Sequence, residues 1–215
     1  MTEAATGNVG RASRRQVDKF ADRRAELASA ALQTLAELGY ARTSLREIAQ
    51  NSDFSHGVLH YYFADKVDLI THCVRRYKAE CVTRYDQIVA EADSAETLTD
   101  GFAVGMQQTL HEDGAMHRLW YDLRNQSLFE APFRDDVTEI DRSLERMIGR
   151  IVAEYARLSG RELAFDHHIA YAMLDGLFHQ ALVGHYAGDA EAGPALQDGL
   201  RQLFPRLLLD PRSEG

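Results

Sequence analysis

Apolar residues recur along this chain in steps of three and four, the spacing of helices that bury one face. Over 17–38 the stripe is Phe20, Leu27, Ala31, Leu35 and Leu38, and Gly39 follows as a natural stop. A second helix is expected from Thr43 or Ser44, with Leu45, Ile48 and Ala49 on one face and Glu47 spaced to close a capping box with Ser44. The run breaks at Asn51-Ser52-Asp53, and a third short helix is expected over 55–61. A fourth is expected from near Asp65, a suitable N-cap, to about residue 92, with Leu69, Cys73, Tyr77, Cys81, Tyr85, Ile88 and Val89 inward. Further helices are expected over 95–111 (capped by Ser94), 115–130, 134–159 (ending at Gly160), 163–187 (ending at Gly188) and 193–209, the last bent or broken at Pro205. No run alternates strictly as a half-buried strand does, so the expected fold class is all-α.

Two short helices joined by a tight turn are the layout of a helix-turn-helix, whose second helix enters the DNA major groove. The stretch from Thr43 to Lys66, TSLREIAQNSDFSHGVLHYYFADK, resembles the DNA-binding domain of the TetR family of bacterial transcriptional regulators. The resemblance rests on Gly39, Thr43, Ser44, Ile48, Ala49, Ser55, Gly57, Leu59, Tyr62, Phe63, Lys66 and Leu69 in register, and covers roughly residues 20–70. Two places depart from the pattern: His60 stands where Tyr is usual, and Ser52-Asp53-Phe54 replaces Ala-Gly-Val in the turn. Asp tolerates a left-handed turn residue better than most, and Phe54 can serve as the core plug.

The resemblance implies a three-helix DNA-binding domain followed by a larger helical domain for ligand binding and dimerisation. The expected division is a disordered basic arm over 1–16, the helix-turn-helix domain over 17–64, the effector and dimer domain over 65–210, and a tail over 211–215. It also implies a one-component regulator, a repressor that binds a palindromic operator as a homodimer and is released by a small-molecule effector.

Base reading falls to the start of the recognition helix, hence to Ser55, His56, Gly57 and His60. Phosphate contacts are expected from Arg42, Thr43, Ser44, Tyr61 and Lys66, and from the start of the fourth helix. His56 and His60 also have the spacing of a helical metal pair, but no carboxylate or cysteine stands beside them in sequence.

In the second half, Leu144, Ile148, Ile151, Tyr155 and Leu158 make one apolar seam. Ile169, Ala172, Met173, Gly176, Gln180, Val183 and Gly184 make a second, with small residues that permit close approach. These two helices resemble the pair that forms the dimer interface in the TetR family; the other reading is that either stripe faces its own core. Candidate effector contacts are Phe102, Met106, Trp120, Tyr121, Arg124, Phe129 and Tyr171, which fit a core equally well. Polar pocket groups could come from His111, His117, His167, His168, His179 or His185.

Charge changes the picture only through its distribution. The chain carries a net −9, but residues 1–75 hold 10 Lys+Arg against 9 Asp+Glu, and residues 76–215 hold 14 against 24. Positive charge thus gathers where DNA would lie, with Arg11, Arg14, Arg15, Lys19, Arg23 and Arg24 in one short segment. No apolar run is long enough to span a membrane and no signal-peptide core opens the chain, so the expected location is cytoplasmic. Cys73 and Cys81 lie about 12 Å apart on one helix, too far for a disulfide, and are read as buried thiols. No cofactor is expected. The rivals are an all-α metal-dependent enzyme and an effector-free DNA-binding protein. Against the enzyme, Glu-x-x-His, His-Glu-x-x-His, Gly-x-Ser-x-Gly and phosphate-binding glycine loops are all absent.

Overall fold

The computed structural model describes the backbone of residues 4–40 and 43–210, and the side chains from residue 18 onward in those ranges except Gln33. Among the described residues there is no strand, only helices and an isolated bridge between Leu163 and Leu208. The chain divides into two compact units, Met1–Val74 and Arg75–Gly215. That boundary falls within the fourth helix, ten residues beyond the one expected at 64.

The first unit holds α1 (Ala4–Leu38), α2 (Leu45–Gln50), α3 (His56–Tyr62) and the start of α4 (Lys66–Cys81). α1 begins at Ala4, so most of the segment expected to be a disordered arm over 1–16 is helical instead. That stretch contains no proline, and its alanines, arginines and glutamine favour a helix. The inner face of α1 is Leu27, Ala28, Ala31 and Leu35, buried with Ile48, Leu59, Phe63 and Ile70. Each such buried aliphatic side chain contributes about 2 kcal/mol through removal from water. Phe20 and Leu38, expected on the same stripe, lie largely at the surface; the Phe20 ring packs on Tyr62 at 4.7 Å.

The caps of this unit are local and follow the sequence. Gly39 takes the left-handed conformation (φ 74°) that ends α1, and its N–H donates to the Leu35 carbonyl at 2.8 Å. Ser44 and Glu47 form the expected capping box, with the Ser44 N–H donating to Glu47 Oε2 at 2.7 Å. Asp65 Oδ1 accepts from the Asp68 N–H at 2.9 Å at the start of α4. No non-glycine residue among those described has positive φ, so Asp53 does not take the left-handed turn expected of it. Phe54 is half-buried, with the Arg23 guanidinium 5.0 Å over its ring.

The second unit contains the end of α4, then α5 (Asp86–Glu91), α6 (Ala95–Glu112), α7 (Gly114–Ser127), α8 (Arg134–Ser159), α9 (His167–Tyr186) and α10 (Ala192–Leu203). The single helix expected from 65 to 92 is broken at 82–85. The break has side-chain causes: Arg150 of α8 donates to the Val82 carbonyl at 2.6 Å, and Tyr85 turns its hydroxyl onto Thr109 at 2.8 Å. α8 has the expected bounds and ends at Gly160 (φ 62°), where the Arg161 N–H reaches back to the Ala156 carbonyl at 3.2 Å. α9 begins at His167 rather than 163, because the preceding segment pairs with the C-terminal end: the Ala164 N–H donates to the Leu207 carbonyl at 2.7 Å. α10 passes into a 3-10 turn, Phe204–Leu207, at Pro205, as expected.

α8 buries Ile140, Leu144, Met147, Ile148, Ile151, Val152 and Tyr155 within its own unit. Its outward positions include Arg142, Arg146, Arg150 and Arg157. Replacing Ser44 with Ala removes the α2 cap and should lower the stability of the first unit by about 1 kcal/mol, read as an earlier thermal transition. An unchanged midpoint would mean that the capping box contributes nothing there.

Candidate functional site: a DNA-reading helix and a buried cavity

The short α3 turns Leu59 inward and Ser55, His56, Gly57, His60 and Tyr61 outward. Ser55 is its N-cap, accepting from the Val58 N–H at 3.3 Å, so its hydroxyl proton is left to donate elsewhere. The His56 and His60 rings meet edge to face at 4.4 Å, offering donors and acceptors side by side. A Cβ placed on Gly57 would meet nothing within 4 Å, so this part of the helix is open to an approaching groove. Tyr61 is 73% exposed.

The phosphate candidates divide. Ser44 is exposed at the head of α2. Arg42 lies outside the described residues. Thr43 is buried and its hydroxyl donates to the Gly39 carbonyl at 2.6 Å; its side chain caps α1 and is not on the surface. Lys66 is turned inward, donating to the Tyr40 carbonyl at 3.0 Å with its ammonium 3.9 Å over the Tyr40 ring, and has only its remaining donors for a phosphate. The start of α4 already carries Asp65 and Asp68, the latter paired with Arg24, and is no vacant anion site. Arg46 was not among the candidates; it is exposed on α2, and its place in the turn after Ser44 was the available signal.

In the second unit, side chains of α4, α6, α7, α8 and α9 enclose about 530 Å³ of space not filled by atoms, part of it open to solvent. Of this, about 60 Å³ is open to the centre of a water-sized molecule, below the usual range for a small-molecule site. Met106, Trp120, Tyr121 and Tyr171 line it as expected. Three other candidates do not. Phe102 is fully buried against Tyr85 and Phe204, a core ring. Arg124 pairs with Asp175 at 2.8 Å and with Asp141 at 3.5 Å, which commits its charge. Phe129 is 81% exposed, beyond the end of α7. Of the histidines only His117 lines the cavity; His167, His168 and His179 are exposed, and His111 packs on His185 at 5.4 Å.

The α8 seam is also corrected. Leu144 and Ile148 line the cavity, Ile151 is 1% exposed, and Tyr155 packs on Phe204 at 4.9 Å, so this stripe faces its own core. On α9, by contrast, Gly176, Gln180 and Val183 are exposed, and Met173 is half-buried.

In the cavity, the residue that sequence reasoning missed is Lys78. It is 2% exposed, lines the cavity, and donates to His117 Nδ1 at 3.3 Å. Burial pushes its pKa down from 10.5 to about 8. Burial, and next the Lys78 charge, push His117 well below its ordinary value, so the ring is neutral and can accept. Burial, and next the Asp175 carboxylate, raise Tyr121, whose hydroxyl donates to Asp175 Oδ1 at 2.9 Å. Ile70, Val74, Lys78 and Cys81 are spaced four, four and three apart, and that period was the signal for Lys78. Cys73 and Cys81 are both buried and free, as expected.

A helix-turn-helix with an exposed second helix carrying hydrogen-bonding side chains is the arrangement of a DNA-binding domain. Residues 27–73 match the profile described as "Bacterial regulatory proteins, tetR family". The HTH-type transcriptional regulator BetI of Burkholderia lata is 26% identical over 159 residues, covering 73% of this chain and 80% of that protein. BetI of Burkholderia mallei is 28% identical over 192 residues, covering 86% and 95%. Among solved structures, a transcriptional regulator from Saccharomonospora viridis in complex with choline has the same fold (TM-score 0.72, 16% identity, 88% of this chain and 99% of that one). So does FadR from Bacillus subtilis in complex with stearoyl-CoA (TM-score 0.66, 18% identity, 83% and 95%). Residues 27–73 thus carry the DNA-binding domain of the tetR family, and the relatives that the chain matches are named transcriptional regulators, which are not enzymes. None of its described helices is long and apolar enough to cross a membrane.

Lys78 sets a stability test. A lysine whose pKa falls from 10.5 to about 8 on folding destabilises the fold by ~3 kcal/mol wherever it is charged. The cost is fully present below about pH 8 and fades as pH rises to 10.5, where the unfolded chain also loses the proton. Lys78→Met should therefore be more stable than the parent by ~3 kcal/mol at pH 7, with the difference shrinking towards pH 10.5 in chemical denaturation. A difference independent of pH would show that folding does not lower the Lys78 pKa.

Proposed function

We propose that this regulator is a repressor that binds a palindromic operator as a homodimer and is released by a small molecule held in the cavity. The observation that carries the reading is the pairing, in one chain, of an outward-facing recognition helix with a largely apolar, partly open cavity. An effector-free architectural protein has no use for such a cavity. The relatives are named transcriptional regulators, which favours this reading over the enzyme one. The fold neighbours bound to choline and to stearoyl-CoA support the cavity as a ligand site.

Ser55, His56, Gly57 and His60 read bases, while Ser44, Tyr61 and Arg46 meet phosphates. Thr43 and Lys66 hold the end of α1 and the start of α4 in place instead. α4 connects the two functions through the chain itself: it follows α3, and its last turn carries Lys78 and Cys81 to the cavity. Ligand weakens operator binding only by as much as it prefers the DNA-incompetent conformation.

The dimer forms through the outward face of α9. That face offers Ala172, Gly176, Gln180 and Val183 without a charge, whereas the outward side of α8 is rich in arginine. Small uncharged residues let two helices approach closely without desolvating ions.

The first test is binding of the purified protein to DNA flanking its own gene across a salt series. Specific binding with two protomers per site and a steep salt dependence is expected. Weak binding equal on all sequences would count against an operator there. His60→Ala should lower operator affinity about tenfold and leave the dimer intact; unchanged affinity would remove His60 from the reading set. Gly176→Arg combined with Val183→Arg should give helical monomers by light scattering, since a Cβ at Gly176 meets nothing within 4 Å in its own protomer. A dimer of normal mass would sink the α9 interface.

A further inference from the structure

The cavity contains one cation with no carboxylate in contact with it. Its charged lining residues are Lys78, Arg84 and Asp175. Arg84 pairs with Asp113 at 2.5 Å and also donates to Thr109 at 3.0 Å. Asp175 is answered by Arg124 at 2.8 Å and by the Tyr121 hydroxyl at 2.9 Å. Lys78 has no carboxylate within 4.0 Å among the described residues; its one hydrogen-bond partner is His117 Nδ1, and its ammonium stands 5.4 Å from the Trp120 ring centre.

The same wall has a surplus of donors. An imidazole that accepts at Nδ1 from an ammonium carries its proton on Nε2, and that buried atom has no partner. Trp120 Nε1 is likewise buried without a partner. A buried ammonium with one neutral acceptor and two buried N–H groups without any form a site that is expensive while it stays empty. Beyond them the lining is apolar, with Met106, Leu144, Met147, Ile148, Leu174 and Phe178.

We propose that the effector is a monoanion with an apolar body, a small organic carboxylate whose oxygens accept from Lys78 and whose body fills the space between α6, α8 and α9. A carboxylate supplies the contact ion that Lys78 lacks, and has the lone pairs that this wall lacks. This rests on the cavity being the effector site. Asp175 does not recruit a cationic ligand, because Arg124 and Tyr121 already satisfy it.

Trp120 is the only tryptophan, so its emission reports this wall directly. The full-length protein is titrated at pH 7 with octanoate, 1-octanol and octyltrimethylammonium, and with benzoate, benzyl alcohol and benzyltrimethylammonium. Each set shares one body and varies only the charge. A saturable change with a carboxylate is expected, at least tenfold tighter than with the matching ammonium. Lys78→Met, with Lys78→Gln as a polar control, should lose at least tenfold in carboxylate affinity while binding the alcohols as well as the parent does. An ammonium that binds as tightly as the carboxylate, or carboxylate binding unaffected by either substitution, overturns the anion assignment and leaves the cavity as a ligand site. No saturable change with any of the six compounds overturns the cavity reading itself, and the anion assignment with it.

Discussion

A lysine ammonium inside a helical bundle demands an answer from its surroundings, and the second unit is arranged around that demand. Lys78 sits on the buried stripe of α4, where an aliphatic residue would pack without cost. Its neighbours hold it without neutralising it: one imidazole accepts, and two aromatic rings face it at 5.4 Å. The acidic groups nearby are committed to arginines instead, Asp113 to Arg84 and Asp175 to Arg124. A fold that needed only stability would have met this position with a methionine or leucine. Its retention as a cation accords with a site that waits for something of opposite charge.

The break after α4 belongs to the same arrangement. Had the helix run on to residue 92, as its periodicity suggests, Arg84 and Tyr85 would lie along a straight rod. The turn over 82–85 swings Tyr85 onto Met106 and Thr109 and places Arg84 beside Asp113. Arg150 stabilises the turn by taking the Val82 carbonyl and pairing with Asp86 at 2.8 Å. The polar rim of the cavity therefore depends on an interruption in a helix.

What was legible in the sequence was local. The capping box at Ser44, the stop at Gly39, the N-cap at Ser94 and the bounds of α8 depend on residues a few positions apart, and the structure has them where the spacing put them. The outward positions of α3 followed from the same helical period. What was illegible depends on partners far along the chain. An apolar seam reads the same whether it faces a second copy or its own core, and Ile151 and Tyr155 proved to be core. Thr43 and Lys66 stand in the right motif positions, yet Gly39 and Tyr40 claim their polar atoms. Phe129 looked like a pocket ring because aromatic residues usually are buried, and only the end of α7 at Ser127 shows why it is not. Lys78 was hidden by the opposite habit, since a charged residue is ordinarily assigned to the surface.

The open space around Gly57 has an evolutionary consequence. His56, Gly57 and His60 support nothing in the core, while Leu59 and Phe63 on the same short segment are buried in it. Mutations can therefore accumulate on one side of α3 with little change in folding stability. Descendants of this gene can drift to new target sequences without first passing through an unstable intermediate.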